Sequence, residues 1–523
     1  MVVRFMKPDP HKTALIFPAH GVQLTYQELD SQADHAAAWL LSQGLNEGDG
    51  IALLLENRPE FIVLARAAST IGVYFTGIST HLAAAEVQHI LVDSGAKVFI
   101  ASNYTLERAR QLAHANPQAV QQVACFTVDQ ATDGFASCAD ALHNWPLPAA
   151  FPERAVGREM LYSSGTTGKP KGIRKPLVPF ADRHKPEPGF EQWARLFQAD
   201  ETMVYLSPAP LYHAAPLRYT LRVLAAGGTA VILPKFDPVT CLQAIQDHKV
   251  THSQWVPTMF VRLLELPEST RRAFDLSSMR AAVHAAAPCP VHVKQAMLDW
   301  WGDIIHEYYA GSEVAGTTWI TPREWRQRPG SVGRATMGIV HILDDNGHEL
   351  PPGEVGKVYF EGAATFTYLN DPEKTGSAYN AQGWATYGDV GYVDADGFLF
   401  LSDRRDDLIL SGGVNIYPFE IESVISRHPD VQDVAVVGVP DPVFGELPKA
   451  IVSLKPGIEP DQETANRLVA FASADLARIK LPRTLVFEDE LPRLETGKLL
   501  RRKLKEHYRA HPEAGFPVSA SGR

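Results

Sequence analysis

Cysteine is scarce in this chain, with four in 523 residues: Cys125, Cys138, Cys241 and Cys289. They form no CxxC pair and have no histidine at zinc-finger spacing, which excludes a disulfide scaffold and a local zinc module. They read as reduced thiols of a cytoplasmic protein, mostly buried as small apolar groups. Long apolar runs are also missing. The richest stretch, Val223 to Leu233, is broken by Gly227 and Gly228, so no spanning helix is expected. The opening MVVRFMKPDPHK has no apolar h-region or cleavage site, and no signal peptide is expected. No block of five like charges occurs. A net charge of −11 argues against a nucleic-acid partner, which wants a basic face. Glycine and proline, 38 of each, are too few for a collagen-like or low-complexity chain.

What is present is an ordinary globular composition, 45% hydrophobic and 21% charged. Thr25 with Glu28 three residues on has capping-box spacing, followed by apolar residues at helical intervals through Leu29, Ala33, Ala37, Leu40 and Leu41. Gly44 ends that helix. Ile51–Leu55 is a continuous apolar run, the mark of a strand buried on both faces. Helices follow over about 60–71 and 84–93, then a strand over 97–101. This alternation predicts a parallel sheet covered by helices. Strand patterns recur at 203–206, 229–233, 251–256 and 279–284. From about 330 to 402 the pattern changes to short strands with turn dipeptides (Asn346-Gly347, Pro352-Gly353, Asp396-Gly397), which suggests a smaller β subdomain. After Asp403 a helix over 419–427 and the strand 434–439 suggest a separate α+β unit. The expected fold is therefore α/β: a large N-terminal domain of helix-covered sheets with a β subdomain over 1–402, and a smaller domain over 403–523.

Residues 162–172 read Tyr-Ser-Ser-Gly-Thr-Thr-Gly-Lys-Pro-Lys-Gly. Glycines let a backbone bend and bring N–H groups against an anion. The hydroxyls of Ser163, Ser164, Thr166 and Thr167 add donors, and Lys169 or Lys171 adds charge. Such a loop suits a polyphosphate such as ATP. It is not a Walker A loop: Ser163 stands where the first glycine is required, and Pro170 follows the lysine where a hydroxyl is required.

This string resembles the signature loop of the adenylate-forming superfamily, which contains acyl-CoA synthetases, luciferases and amino-acid adenylation domains. Five further segments resemble that family in order. His284-Ala-Ala-Ala-Pro288 is similar to the small-residue turn against adenine, which Ala286, Ala287 and Pro288 would form. Tyr309-Ala-Gly-Ser-Glu313 resembles Tyr-Gly-x-Thr-Glu. The resemblance implies Tyr309 against adenine, Ser312 near the α-phosphate and Glu313 on Mg²⁺. Gly383-Trp-Ala-Thr-Tyr-Gly-Asp389 resembles Trp…Thr-Gly-Asp, with Asp389 accepting both ribose hydroxyls and Tyr387 standing where threonine is common. Asp403-Arg-Arg-Asp-Asp407 implies Arg404 as the ribose and phosphate arginine and Asp406 as a hinge. The Ser411-Gly412-Gly413 loop aligns with the segment that lines a pantetheine tunnel. Leu491-Pro-Arg-Leu-Glu-Thr-Gly-Lys498 resembles the C-terminal lysine motif.

The resemblance implies two half-reactions. A carboxylate attacks the α-phosphorus of ATP, with the 163–171 loop (Ser163, Ser164, Gly165, Thr166, Thr167, Gly168, Lys169, Lys171), Glu313-held Mg²⁺ and Lys498 stabilising the charge. The small domain then rotates about Asp406, and coenzyme A attacks the acyl-adenylate. Tyr212 and His213 are expected beside the carboxylate, with Trp255, Gly311 and Gly316 deeper in a pocket that prefers an apolar acid. The 207–216 segment has no aspartate for a substrate ammonium, and 25 residues follow Lys498 with no carrier domain. A free-standing CoA ligase for a fatty or alicyclic acid is expected, acting on small molecules alone or as a homodimer. The alternatives are an acyl-AMP ligase loading a carrier protein and a luciferase-like oxygenase.

Overall fold

The computed structural model describes residues 8–115, 123–132, 134–163, 170–362, 365–404, 407–411, 414–494, 497 and 499–518. Among them lie a 13-stranded sheet and sheets of five, six and three strands. The capping box forms as expected. Thr25 Oγ1 accepts from the Glu28 N–H, and the Glu28 carboxylate accepts from the Thr25 N–H, opening the helix Tyr26–Ser42. Leu29, Ala33, Ala37 and Leu40 lie on its buried face.

The Gly50–Leu54 strand, buried along its whole length, pairs in parallel with Tyr74–Gly77 and Ala96–Ala101. Helices Pro59–Ile71 and Ala84–Ser94 connect them. This is the helix-covered parallel sheet expected of the opening residues. The second run of strands builds the parallel centre of the largest sheet, where Thr229–Ile232, Val204–Ser207, His252–Trp255, Ala281–His284 and Ile305–Tyr309 are successive neighbours.

The 330–402 segment forms the short antiparallel strands that its turn dipeptides suggest, and it is continuous with the large sheet. Ser331–Met337 pairs with Thr317–Ile320 on one side and Leu399–Arg404 on the other, so the antiparallel strands extend the large sheet. The turn glycines Gly347 and Gly397 both have positive φ, as their dipeptides imply. From Ile409 to Pro517 the strands form their own six-stranded sheet, packed on helices Pro418–Ile425 and Gln462–Ala472 around a separate core. The fold is thus α/β, with a large N-terminal sheet domain and a smaller C-terminal domain. Among the described residues no helix is long and apolar enough to cross a membrane.

Candidate active site

In open α/β sheets, ligands bind beyond the carboxyl ends of the strands. Several of the residues singled out in the sequence, among them Tyr212, His213, Ala286, Tyr309 and Glu313, lie at or just after the ends of strands of the large sheet. Tyr309 closes the strand Ile305–Tyr309, and its hydroxyl donates to Asp389. Asp389 opens the strand Asp389–Val393 and is directly opposite Arg404 in the antiparallel ladder. Three residues 15 to 95 positions apart are therefore brought together by three strands. Phe360 and Tyr387 pack on the Tyr309 ring at 6.1 and 5.6 Å.

Glu313 lies in the turn after Tyr309. Its Oε1 accepts a 2.8 Å hydrogen bond from the Tyr368 hydroxyl. Tyr368 in turn pairs with Ile173, in the strand leaving the phosphate loop. The Leu161–Ser163 and Lys171–Arg174 strands form the base of that loop. Ser164, Gly165, Thr166, Thr167, Gly168 and Lys169 lie outside the described residues. Lys171 is held by Asp371 at 3.0 Å.

Glycine is required at two positions of the Tyr309 turn. A Cβ on Gly311 would fall 2.4 Å from Tyr387 and 2.5 Å from the Glu313 carboxylate, and one on Gly316 would fall 2.1 Å from Phe360. Tyr387, the departure from the family pattern, spends its hydroxyl on Gly316: it accepts from the N–H at 3.0 Å and donates to the carbonyl at 2.8 Å. Ser312 is fixed through its carbonyl, which accepts from Arg218 at 3.1 Å. Arg218 also binds the buried Glu159 at 2.9 Å. No motif announced Arg218, Glu159 or Tyr368, because each meets its partner from more than fifty residues away.

The turn after the strand Ala281–His284 contains Ala286, Ala287 and Pro288. Ala286 has φ +77°, a left-handed backbone that a Cβ disfavours. Below the turn His284 and Glu307 are cross-strand neighbours, and buried Lys294 binds Glu307 at 2.5 Å.

Tyr212 and His213 precede the helix Ala214–Ala225, their rings edge to face at 4.7 Å. Burial, reinforced by His81, pushes the His213 imidazole down to about 4, so it is neutral at pH 7. Trp255 closes the strand His252–Trp255. It packs with Phe236, Phe260 and Trp301 in a different core cluster from Tyr212. Gly316 packs on Phe360 and Tyr387.

In the smaller domain Ser411 is buried, and its backbone pairs with Val414 and Gly445. Asp406, Gly412, Gly413 and Lys498 lie outside the described residues. Gly497, next to the lysine, is placed: a Cβ there, at φ +72°, would fall 2.0 Å from Thr258 Oγ1. Thr258 is in the first turn of the helix Pro257–Leu264 in the large domain. Arg493 donates to the Gly497 carbonyl at 2.8 Å and is itself held by Asp433. Gly497 thus rests against the large domain. Among the described residues no cluster of three or more histidine, cysteine or carboxylate side chains is placed to hold a metal by itself.

Tyr309, Asp389 and the 161–174 hairpin all lie within or close to the stretches that the family comparisons match. Residues 3–368 match the family model described as AMP-binding enzyme, and 420–498 match the AMP-binding enzyme C-terminal domain. The chain belongs to the AMP-binding enzyme family and is, in class, an AMP-forming acyl-CoA synthetase. It is 32% identical over 512 residues, 96% of each chain, to the long-chain-fatty-acid–CoA ligase FadD13 of Mycobacterium tuberculosis. It is 33% identical, over 96% of this chain and 97% of the other, to the 3-[(3aS,4S,7aS)-7a-methyl-1,5-dioxo-octahydro-1H-inden-4-yl]propanoyl:CoA ligase of the same organism. Among solved structures, ATP-bound MatB from Rhodopseudomonas palustris aligns with a TM-score of 0.82 at 28% identity, covering 96% of this chain and 97% of that one.

Proposed function

We propose that this chain activates a hydrophobic carboxylic acid with ATP as its acyl-adenylate and transfers the acyl group to coenzyme A, releasing AMP and pyrophosphate. The observation that carries the reading is the Tyr309–Asp389–Arg404 group beside Glu313 and the base of the phosphate loop. Asp389 is suited to both ribose hydroxyls, since a carboxylate has two acceptor oxygens. Tyr309 and the 286–288 turn would flank adenine. The N–H groups and hydroxyls of the 163–171 loop would cradle the phosphates. Glu313 supplies the single carboxylate that Mg²⁺ on a nucleotide commonly takes, the other ligands being phosphate oxygens and water. Magnesium, when bound, neutralises phosphate charge.

Lys498 would approach the reacting carboxylate and the α-phosphate, as a mobile point charge with three donors. Catalysis of this kind is positioning and electrostatic stabilisation, without a covalent enzyme intermediate. The small domain, from about residue 403, then turns about Asp406. Lys498 leaves, and the 411–413 segment arrives to guide the thiol. The hydrophobic acid is supported by the neutral, partly buried His213 beside Tyr212 and by the acids in the relatives' names, one long-chain fatty and one bicyclic. A cytoplasmic location fits the reduced thiols.

Mass spectrometry of reactions with ATP, Mg²⁺, coenzyme A and a panel of fatty, aryl and alicyclic acids tests this. Acyl-CoA is the expected product, strongest with apolar acids. Acyl-AMP without acyl-CoA would replace the acceptor by a carrier protein. Preference for small polar acids would overturn the hydrophobic assignment.

A further inference from the structure

Lys175 lies just beyond the strand Lys171–Arg174, outside the residues assigned above to nucleotide, acid or thiol. With Tyr74, Arg174, Pro176 and residues 365–367 it lines an open cavity of about 250 Å³. The Tyr74 hydroxyl donates to the Lys175 carbonyl at 2.8 Å, which fixes the backbone there.

The charges around the Lys175 side chain are unbalanced. Arg218, Glu159, Arg158 and Glu187 all act on it. Both carboxylates are already taken: Glu159 by Arg218 at 2.9 Å and Arg158 at 3.9 Å, Glu187 by Arg222 at 2.7 Å. Lys175 makes no ion pair with either. Other inward-facing lysines are occupied. Lys171 holds Asp371, Lys294 holds Glu307, and Lys449 donates to carbonyls of the 511–514 turn. A partly buried lysine in a cluster of three arginines and two carboxylates that the arginines already hold can relieve the repulsion in one way that an arginine cannot, by losing its proton. Burial first, then Arg218, push its ammonium down to about 7 against the pull of Glu159. A desolvated lysine next to another cation is a recurrent way of making a nucleophilic amine.

We propose that Lys175 is a nucleophilic lysine, a site of covalent acylation by activated acyl donors (active esters, thioesters and acyl-adenylates) that enter the 74/174–176/365–367 cavity. The lone pair of the neutral ε-nitrogen adds to the acyl carbon. The C–N bond forms, and the acyl–oxygen or acyl–sulfur bond breaks with its electron pair on the leaving group. The extra proton on nitrogen passes to water. The product is an uncharged amide.

The test treats the intact chain with limiting N-hydroxysuccinimidyl acetate across a pH series and measures acetylation of each lysine by peptide mass spectrometry. Lys185 and Lys249, 73% and 65% exposed, are the references. At neutral pH Lys175 is expected to react faster than either by on the order of tenfold, because far more of it is unprotonated. Its rate should be half-maximal near pH 7. Lys175→Arg should remove the fast site and leave both references unchanged. A Lys175 rate no higher than theirs, or one that rises only in the range of an ordinary lysine, would overturn the proposal. The probe is no substrate of the ligase reaction, so the result is independent of the acid and acceptor assigned above.

Discussion

Ala286 carries a methyl group on a backbone with φ +77°, where glycine bears no steric cost. Ala286→Gly is expected to stabilise the protein by about 1 kcal/mol, less the extra freedom glycine gives the unfolded chain. Denaturant midpoints measure this, and a lower midpoint for the glycine variant would mean that the turn is not strained. Tyr368 acts on the candidate metal carboxylate rather than on a substrate. Removing its hydroxyl in Tyr368→Phe leaves Glu313 without its 2.8 Å donor. The expected result is a rise of about tenfold in KM for Mg-ATP with an unchanged unfolding midpoint. At this scale the sequence was readable where chemistry repeats in short strings. Glu313 and Asp389 stand in motifs. Tyr368 and Arg218 stand in none, and an aromatic in a strand, such as Trp255, says nothing about which face it points from. Its indole packs with Phe236, Phe260 and Trp301.

Among elements, the helix Ala214–Ala225 is joined to the phosphate hairpin and to the Tyr309 turn by one residue, Arg218, through Glu159 and the Ser312 carbonyl. Burial pushes the Glu159 carboxyl up, but Arg218, Arg158 and Lys175 outweigh it and hold it down to about 2, against an ordinary value of 4.5. The folded state therefore binds this proton more weakly than the unfolded state. The stability contributed is full above pH 4.5 and is lost as pH falls from there towards 2. Glu159→Gln should lower stability at neutral pH and flatten that acid limb, as read by unfolding at a series of pH values. A variant with the same acid limb as the parent would place the acid sensitivity elsewhere. Helices and buried strands were legible from periodicity and caps, to within one or two residues for the helix Pro59–Ile71 and the strand Ala281–His284. The merging of the 331–404 strands into the large sheet was not. Turn dipeptides mark where a strand ends but carry no information on which edge it joins.

At the scale of the whole molecule, Gly497 of the small domain is seated on Thr258 of the large one with no room for a side chain. Gly497→Val should block this docking. Adenylate formation, measured by pyrophosphate release, should fall at least about 100-fold, because misplacing a reacting group by an ångström costs that much. Thioester formation from supplied acyl-adenylate should be largely spared. Lys498→Ala should show the same asymmetry, since it removes the charge proposed to act in the adenylating step alone. Equal loss of both half-reactions in the two variants would sink the two-conformation mechanism. The sequence by itself determined the local parts: the capped helices, the twice-buried strands, the glycine-rich loop and the ordered motifs that carry the family resemblance. All of these depend on neighbours a few residues apart. Only the tertiary structure decided that Tyr309 meets Asp389, that Arg218 joins three elements, that the carboxylates facing Lys175 are already held by arginines, and that Gly497 rests on Thr258. Those contacts close over tens to hundreds of residues, and the packing of the sheets, not any local preference, sets them.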